Sequence, residues 1–155
     1  MHEVVNHPTC KHVSALNCVD AAQLAIADLA GLARLLRRAI AHGAPLDVSE
    51  LAAVSNAVLR DADRLDTAFS LWRRLPADSL PSSRYRSLQR RVDALRQHGD
   101  DLGHAALLAD SGMPPTAGQL AAFVGRLLAL TEALHQAVEA AHAARSAPPP
   151  PAPLH

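Results

Sequence analysis

The sequence predicts an all-α protein, most simply an antiparallel up-down bundle of four helices. Hydrophobic residues make up 49% of the 155 residues but aromatic residues only 3%, so the apolar content is mainly Ala, Leu and Val. Ala and Leu favour helices, whereas the β-branched and aromatic residues that favour strands are scarce. Apolar residues also recur at steps of three and four along four long segments, and no segment alternates as a half-buried strand does.

Helix 1 is predicted from about Val19 to His42, after an irregular arm of residues 1–17 that shows no sustained period. Gly43 stands where a left-handed C-terminal cap is needed, and Pro45 prevents continuation. The apolar residues recur along one face that is unusually broad, and they comprise Ile26, Leu29, Leu32, Ala33, Leu35, Leu36 and Ile40.

Helix 2 is predicted to begin after Asp47, which forms a capping-box pair with Glu50, and to close at Pro76. Its apolar stripe consists of Leu51, Val54, Val58, Leu65, Phe69 and Trp72. The other side of the helix is expected to face solvent and carries Arg60, Asp63, Arg64 and Asp66.

Helix 3 is predicted to be capped by Ser82 or Ser83 and to end at a clear break over residues 111–115. Gly99 occupies a seam position, where it permits close approach of another helix. The seam alternates steps of four and three through Leu88, Val92, Leu95, Gly99, Leu102, Ala106 and Ala109.

Helix 4 is predicted to begin after Thr116, in a capping box with Gln119, and its seam is Leu120, Val124, Leu127, Thr131, Leu134, Val138 and Ala141. The bundle then covers residues 18–145, and residues 146–155 form a disordered proline-rich tail. The heptad-like period of helices 3 and 4 allows one alternative, in which long helical hairpins are completed by dimerisation.

Charge and composition argue against several classes of protein. The 15 basic and 15 acidic residues cancel, which argues against a strongly basic nucleic-acid-binding surface. Charges interrupt the most hydrophobic stretch, Leu24 to Ile40, so no membrane span is expected there. With no secretory signal at the start, we expect a cytoplasmic protein whose Cys10 and Cys18 are reduced. Lys11 is the single lysine, which is typical of a GC-rich bacterial genome.

Helix 4 contains two carboxylate–histidine pairs at the spacing that di-iron bundles use, Glu132 with His135 and Glu139 with His142. A matching motif on helix 3, Asp101-x-x-His104, lies about eight residues, or roughly 12 Å, away along the axis when the two helices turn at residues 112–113. We therefore expect no metal centre.

The same register offers a structural interpretation of the acidic residues of helix 4. Glu132 falls opposite Arg90 and Glu139 falls opposite Arg86, so we expect both glutamates to pair with arginines of helix 3. Each exposed pair of this kind stabilises a protein by less than about 1 kcal/mol.

The N-terminal arm holds ligand types that suit zinc, namely His7, Cys10, His12 and Cys18, but neither CxxC nor HxxxH spacing is present. A flexible arm also holds a cysteine nucleophile poorly against its base. No GxSxG, P-loop or GxGxxG motif occurs. We predict a protein that is not an enzyme and needs no cofactor.

An arginine-rich group gathers at one pole of an up-down bundle, where helix 2 ends and helix 3 begins. Arg84 and Arg86 oppose the dipole of helix 3, and such a local violation sometimes marks a binding surface. This pole predicts, as an alternative function, anion or small-molecule binding by Arg73, Arg74, Arg84, Arg86, Arg90, Arg91 and Arg96.

His98-Gly99-Asp100-Asp101 invites comparison with histidine phosphotransfer bundles, which place a small residue and a lysine after the phosphorylated histidine. Here the lysine is missing and two acidic residues, which repel phosphate, follow instead. The function of that family is therefore not carried over.

The remaining interpretation is a non-catalytic bundle that acts through protein–protein contacts as a regulator, scaffold or chaperone-like partner. Leu24, Leu32 and Leu35 lie outside the narrow seam of helix 1, and a helix that is apolar on more than one side usually buries the extra surface. The sequence therefore predicts a homodimer through helix 1, with a different partner protein as the alternative.

Overall fold

A computed structural model describes residues 13–43, 45–146 and 153 of the chain. Four helices follow in order, α1 (Ala15–Ala41), α2 (Val48–Arg73), α3 (Ser82–Asp110) and α4 (Ala117–Ser146). Helices account for 83% of the described residues, among which no strand occurs. Each helix packs against its neighbours in the chain and α1 also packs against α4, which closes the ring within one chain. The predicted four-helix bundle is confirmed.

The start of α1 differs from the prediction. The helix begins at Ala15 because Ser14 and Asn17 form a capping box. The Asn17 N–H donates to Ser14 Oγ at 3.3 Å, and the Ser14 N–H donates to Asn17 Oδ1 at 2.9 Å. Residues 15–17 thus belong to the helix rather than to the predicted arm. Residues 1–12 of that arm lie outside the described residues, as does most of the predicted tail after Ser146.

The caps of α2 and α4 are as predicted. Asp47 Oδ1 accepts from the Glu50 N–H at 2.8 Å, and Glu50 Oε2 accepts from the Asp47 N–H at 3.0 Å. Thr116 and Gln119 exchange the equivalent pair of hydrogen bonds at the start of α4. These contacts satisfy backbone donors that a helix N-terminus otherwise leaves without partners.

At α3 the predicted serine cap is wrong. Pro81 occupies the N-cap, no side chain caps the helix, and Ser82 is its first residue. The preceding loop is held by Trp72 instead, whose Nε1–H donates to the carbonyl of Asp78 at 3.2 Å. The Leu80 N–H donates to the Trp72 carbonyl at 3.2 Å, and Leu80 itself is buried. This anchored loop fixes where α3 begins.

The core forms along the predicted seams of α2, α3 and α4. Every predicted seam residue of these helices is buried except Ala109, which is partly exposed. In α1 the buried face lies further towards the N-terminus than predicted, and Leu36 and Ile40 are only partly buried. The buried residues of α1 are Cys18, Val19, Ala22, Ala25, Ile26, Leu29 and Ala33.

The helices α2 and α3 share the most extensive contact of the bundle, and Gly99 lies within it. A Cβ built on Gly99 meets Leu59 Cδ2 at 2.8 Å and Val58 Cγ1 at 3.3 Å. The Ser55 hydroxyl donates to the Gly99 carbonyl at 2.7 Å across the same contact. The expectation that this glycine permits close helix approach is confirmed.

Candidate functional site

An apolar groove opens between the N-terminal half of α1 and the C-terminal half of α2. Its volume is about 560 Å³, and the surface it exposes is mainly apolar. Val13, Leu24 and Leu71 line it while leaving 51%, 57% and 45% of their surface exposed. Cys18 and Ala68 are buried at its base. The groove therefore holds uncovered apolar surface beside the main core.

The apolar surface continues along α1 beyond the groove. Leu35 is 64% exposed, and Leu16 near the start of the helix is 56% exposed. Leu32, in contrast, packs against the core and is only partly exposed. Two of the three leucines that the sequence places outside the seam, Leu24 and Leu35, are thus left uncovered by the rest of the chain. We call the groove and this continuation the α1/α2 face.

An ion-pair cluster closes one end of the groove. Arg64 Nη1 donates to Asp28 Oδ2 of α1 and to Asp61 Oδ1 of α2, both at 2.8 Å. The hydrogen bond to Asp28, followed by that to Asp61, raises the pKa of Arg64. The Asp61 side chain is only 2% exposed. Arg64 was expected to face solvent alone, but it joins α1 to α2 instead.

A second cluster joins α2 to α3. Arg96 Nη2 donates to Asp63 Oδ1 and to Asp66 Oδ2, each at 3.0 Å. These hydrogen bonds raise the pKa of Arg96. The face of α2 that was predicted to be merely solvated thus supplies carboxylates to a neighbouring helix. Arg96 is engaged here and does not contribute a free charge to the arginine-rich pole.

Cys18 lies in the core, not in the arm where the zinc hypothesis placed it. It is 3% exposed and free of any disulfide, and burial raises the pKa of its thiol. A buried thiol of raised pKa is a poor metal ligand and a poor nucleophile. The other three residues of that hypothesis, His7, Cys10 and His12, lie outside the described residues.

The carboxylate–histidine strip of α4 contacts α1. Gln23 Nε2 donates to Glu139 Oε1 at 2.8 Å, and Gln23 Oε1 bonds His135 Nδ1 at 2.9 Å. The predicted pairing of Glu139 with Arg86 is therefore wrong. Glu132 likewise accepts from Gln136 of its own helix at 2.9 Å rather than from an arginine of α3. Over the described residues, no three metal-ligating side chains converge.

The six remaining arginines of the predicted pole have no carboxylate within 4.0 Å among the described residues, and they are Arg73, Arg74, Arg84, Arg86, Arg90 and Arg91. Two of them have other contacts. The guanidinium of Arg73 lies over the ring of Tyr85, 4.5 Å from its centroid. Arg91 Nη1 donates to the Ser87 hydroxyl at 2.7 Å.

The pole does not form one concave site. Arg84 and Arg91 line a groove of about 250 Å³ between α3 and α4, together with Gln136. Arg86 and Arg90 are exposed and sit one turn apart on a different side of α3. The charges that the sequence places near one another are therefore divided between two surfaces.

His98 is a core residue whose burial the sequence analysis did not predict. It is 1% exposed, its Nε2 bonds the Phe123 carbonyl at 3.0 Å, and its Nδ1 has no hydrogen-bond partner among the described residues. Burial lowers the pKa of its imidazole. A buried ring is out of reach of a phosphoryl donor. The sequence did contain a signal for the burial of His98, because Leu95, His98 and Leu102 follow the same steps of three and four as the seam.

A second opening lies at the opposite pole, where α3 meets α4. It has a volume of about 510 Å³ and is lined by Asp101, His104, Leu108, Met113 and Phe123, among others. Leu108 and Met113 are 36% and 60% exposed. Asp101 and His104 form the helix 3 motif that the sequence offered as a possible metal-ligand pair, but that motif predicted no opening here, because the rest of the lining comes from the loop and the start of α4.

One helix in the described part of the chain, α4 over Ala117–Ala144, is long and apolar enough to cross a membrane by length and composition. A core helix of a soluble protein meets the same criterion, and the seam of α4 packs into the bundle.

No family model, no curated protein and no solved structure matches the chain. Function is therefore inferred from the geometry of this chain.

Proposed function

We propose that this chain is a non-catalytic helical-bundle protein that acts through protein–protein contacts, as a regulator, scaffold or chaperone-like partner, with the α1/α2 face as its docking surface. The observation that carries the proposal is the exposure of Val13, Leu24, Leu35 and Leu71 along that face. Exposed apolar residues gathered on one face of a small protein mark interaction sites.

The shape of the groove favours a helix over a small molecule as its occupant. Small-molecule sites bring together several convergent polar groups in an apolar pocket. Here the polar groups are spread along both walls, with Asn17 on α1 and residues such as Arg60 and Thr67 on α2. Along α1 the groove follows residues Asn17 to Leu24, which is about 10 Å at 1.5 Å per residue, and Val13 before the helix extends it. An elongated apolar channel of this kind suits the apolar stripe of an amphipathic helix.

Site-specific photo-crosslinking tests the proposal. A benzophenone amino acid at Thr67, which is exposed in the groove, is compared with the same residue at Ala129, which is exposed on α4. On irradiation in the native host, we expect protein adducts from the Thr67 position and none from Ala129. Equal yields at the two positions, or no adduct at either, would contradict a docking role for this face.

A second candidate function is anion binding between α3 and α4, which the lack of a carboxylate partner for Arg84 and Arg91 favours. Titration with inorganic phosphate, followed by NMR, tests it. We expect saturable shifts that the double substitution Arg84→Gln and Arg91→Gln abolishes. The matched double substitution at Arg86 and Arg90 should leave the shifts intact, and equal loss in both variants would point to nonspecific attraction.

A further inference from the structure

We infer that the partner bound by the α1/α2 face is a second copy of this chain, with its α1 antiparallel to the first. The inference rests on the proposed function and names the occupant of the same face. The observation behind it is the arrangement of exposed residues along α1. Exposed leucines lie at equal distances on either side of the middle of the helix, and so do two exposed residues of opposite charge.

Two pairs of residues define this symmetry. Leu24 and Leu35 are 11 residues apart, about three turns, and both are more than half exposed. Asp20 and Arg38 are 18 residues apart, which is about five turns at 3.6 residues per turn, so they lie along the same side of the helix. Both are exposed. The two pairs share a midpoint near Leu29, at the centre of α1.

A two-fold axis through that midpoint makes the exposed side of α1 complementary to the same side of a second copy. Leu24 of each copy then lies opposite Leu35 of the other. Because an antiparallel two-fold pairing sets each flank of a helix against the same flank of its copy, Asp20 of each chain meets Arg38 of the other. One axis thus aligns both apolar contacts and both ion pairs, as an isologous interface requires.

The charges of α1 select the antiparallel orientation. Of its two acidic residues, Asp20 lies near the N-terminus, whereas Asp28 lies at the centre of the helix and is already paired with Arg64. Its basic residues, Arg34, Arg37 and Arg38, lie in its C-terminal half. A parallel pair would place like charges beside one another, which is unfavourable, whereas the antiparallel pair brings opposite charges together.

The centre of this exposed side of α1 permits close approach of the second copy. Ala27 and Gly31 are the small residues nearest the axis on the outer side, and a Cβ built on Gly31 meets nothing within 4 Å. The groove lies beside Val13 and residues 17–24 of α1, so in the antiparallel pair it faces the Leu35 end of the second copy. The same contact therefore covers Leu24, Leu35 and part of the groove.

Sedimentation velocity on the full chain tests the inference. At micromolar concentration we expect a species of roughly twice 16.4 kDa. Leu35→Glu should shift it to the monomer and raise the dissociation constant at least tenfold. The matched control is Leu107→Glu on α3, where the leucine is 67% exposed, and it should leave the dimer intact. Circular dichroism confirms that each variant is folded.

The results separate this inference from the proposed function. A monomeric wild-type chain, or a dimer that tolerates Leu35→Glu, overturns the inference. If Thr67 still crosslinks to a different protein, the docking function stands and only the identity of the partner is wrong. If Thr67 gives no adduct and the chain is monomeric, both proposals fail.

Two further variants test orientation directly. Asp20→Arg and Arg38→Asp should each weaken the dimer several-fold, and the double variant should restore it because every pair is reversed. In a chain with Cys10 and Cys18 replaced by alanine, Gly31→Cys should form an intermolecular disulfide. Gly125→Cys on α4, an equally open helical glycine, should not. Failure of the double variant to recover, or equal crosslinking at Gly125, overturns the antiparallel arrangement.

Discussion

Replacing Gly99 with alanine gives the sharpest test of the packing between α2 and α3. Alanine in place of glycine inside a helix ordinarily stabilises a protein by roughly 0.5–1 kcal/mol. At Gly99 the added methyl lies 2.8 Å from Leu59 Cδ2 and 3.3 Å from Val58 Cγ1, so both neighbours have to move. Overpacking of this kind costs about 1–3 kcal/mol.

Gly125 supplies the matched control, because a Cβ added there meets nothing within 4 Å and the helix propensity gained is the same. The difference between the two alanine variants therefore isolates the steric cost. We expect Gly99→Ala to be less stable than Gly125→Ala by about 1–3 kcal/mol. For a chain of this size each kcal/mol corresponds to roughly 2–4 °C in Tm.

Urea denaturation followed by circular dichroism at a single protein concentration measures both variants. Gly125→Ala should be as stable as the wild type or more so, and Gly99→Ala should fall below it. Equal stability of the two variants would refute the close approach of α2 and α3. A gain in stability from Gly99→Ala would do so even more directly.

Three other predictions concern buried or capping groups. Because burial lowers the pKa of His98 in the folded state, the unfolded chain takes up a proton at higher pH, and stability falls as the pH drops below about 6.5. Between pH 7 and pH 5 this loss of stability amounts to at most about 2 kcal/mol. Urea titrations at each pH should show that His98→Leu removes this pH dependence. Substitution of the exposed His104 should leave the pH dependence in place. Arg64→Met leaves the buried Asp61 carboxylate poorly paired and should cost about 1–3 kcal/mol, with recovery in the double variant Arg64→Met and Asp61→Leu. Asp47→Ala removes the cap of α2 and should lower the free energy of unfolding by about 1 kcal/mol, and an unchanged urea midpoint would contradict the capping role.

The helices and most of the core were predictable because their signals are local. A capping box such as Asp47 with Glu50 is complete within four residues, and a seam is set by the helical repeat alone. The same local rules failed where a competing local signal was overlooked. Ser14 with Asn17 extends α1 by a turn, and Pro81 displaces the serines expected to cap α3.

The contacts of the flanking polar residues were not predictable from the sequence. Glu139 bonds Gln23 on α1 rather than an arginine on α3, and Arg64 bridges α1 and α2 rather than facing solvent alone. A residue beside the seam has a neighbouring helix on either side. Which of the two helices it meets depends on the rotation of each helix about its own axis, and that rotation is set by packing across the whole bundle.

The sequence by itself determined that this chain forms four amphipathic helices, where the breaks between them fall, and that α1 carries more apolar surface than one seam needs. Only the tertiary structure decided that Leu24 and Leu35 stay exposed while Leu32 packs partly against the core and His98 is buried. The physical reason is that periodicity gives the direction of a side chain relative to its own helix. Burial depends on where the other helices lie, and in this bundle they leave the outer side of α1 uncovered.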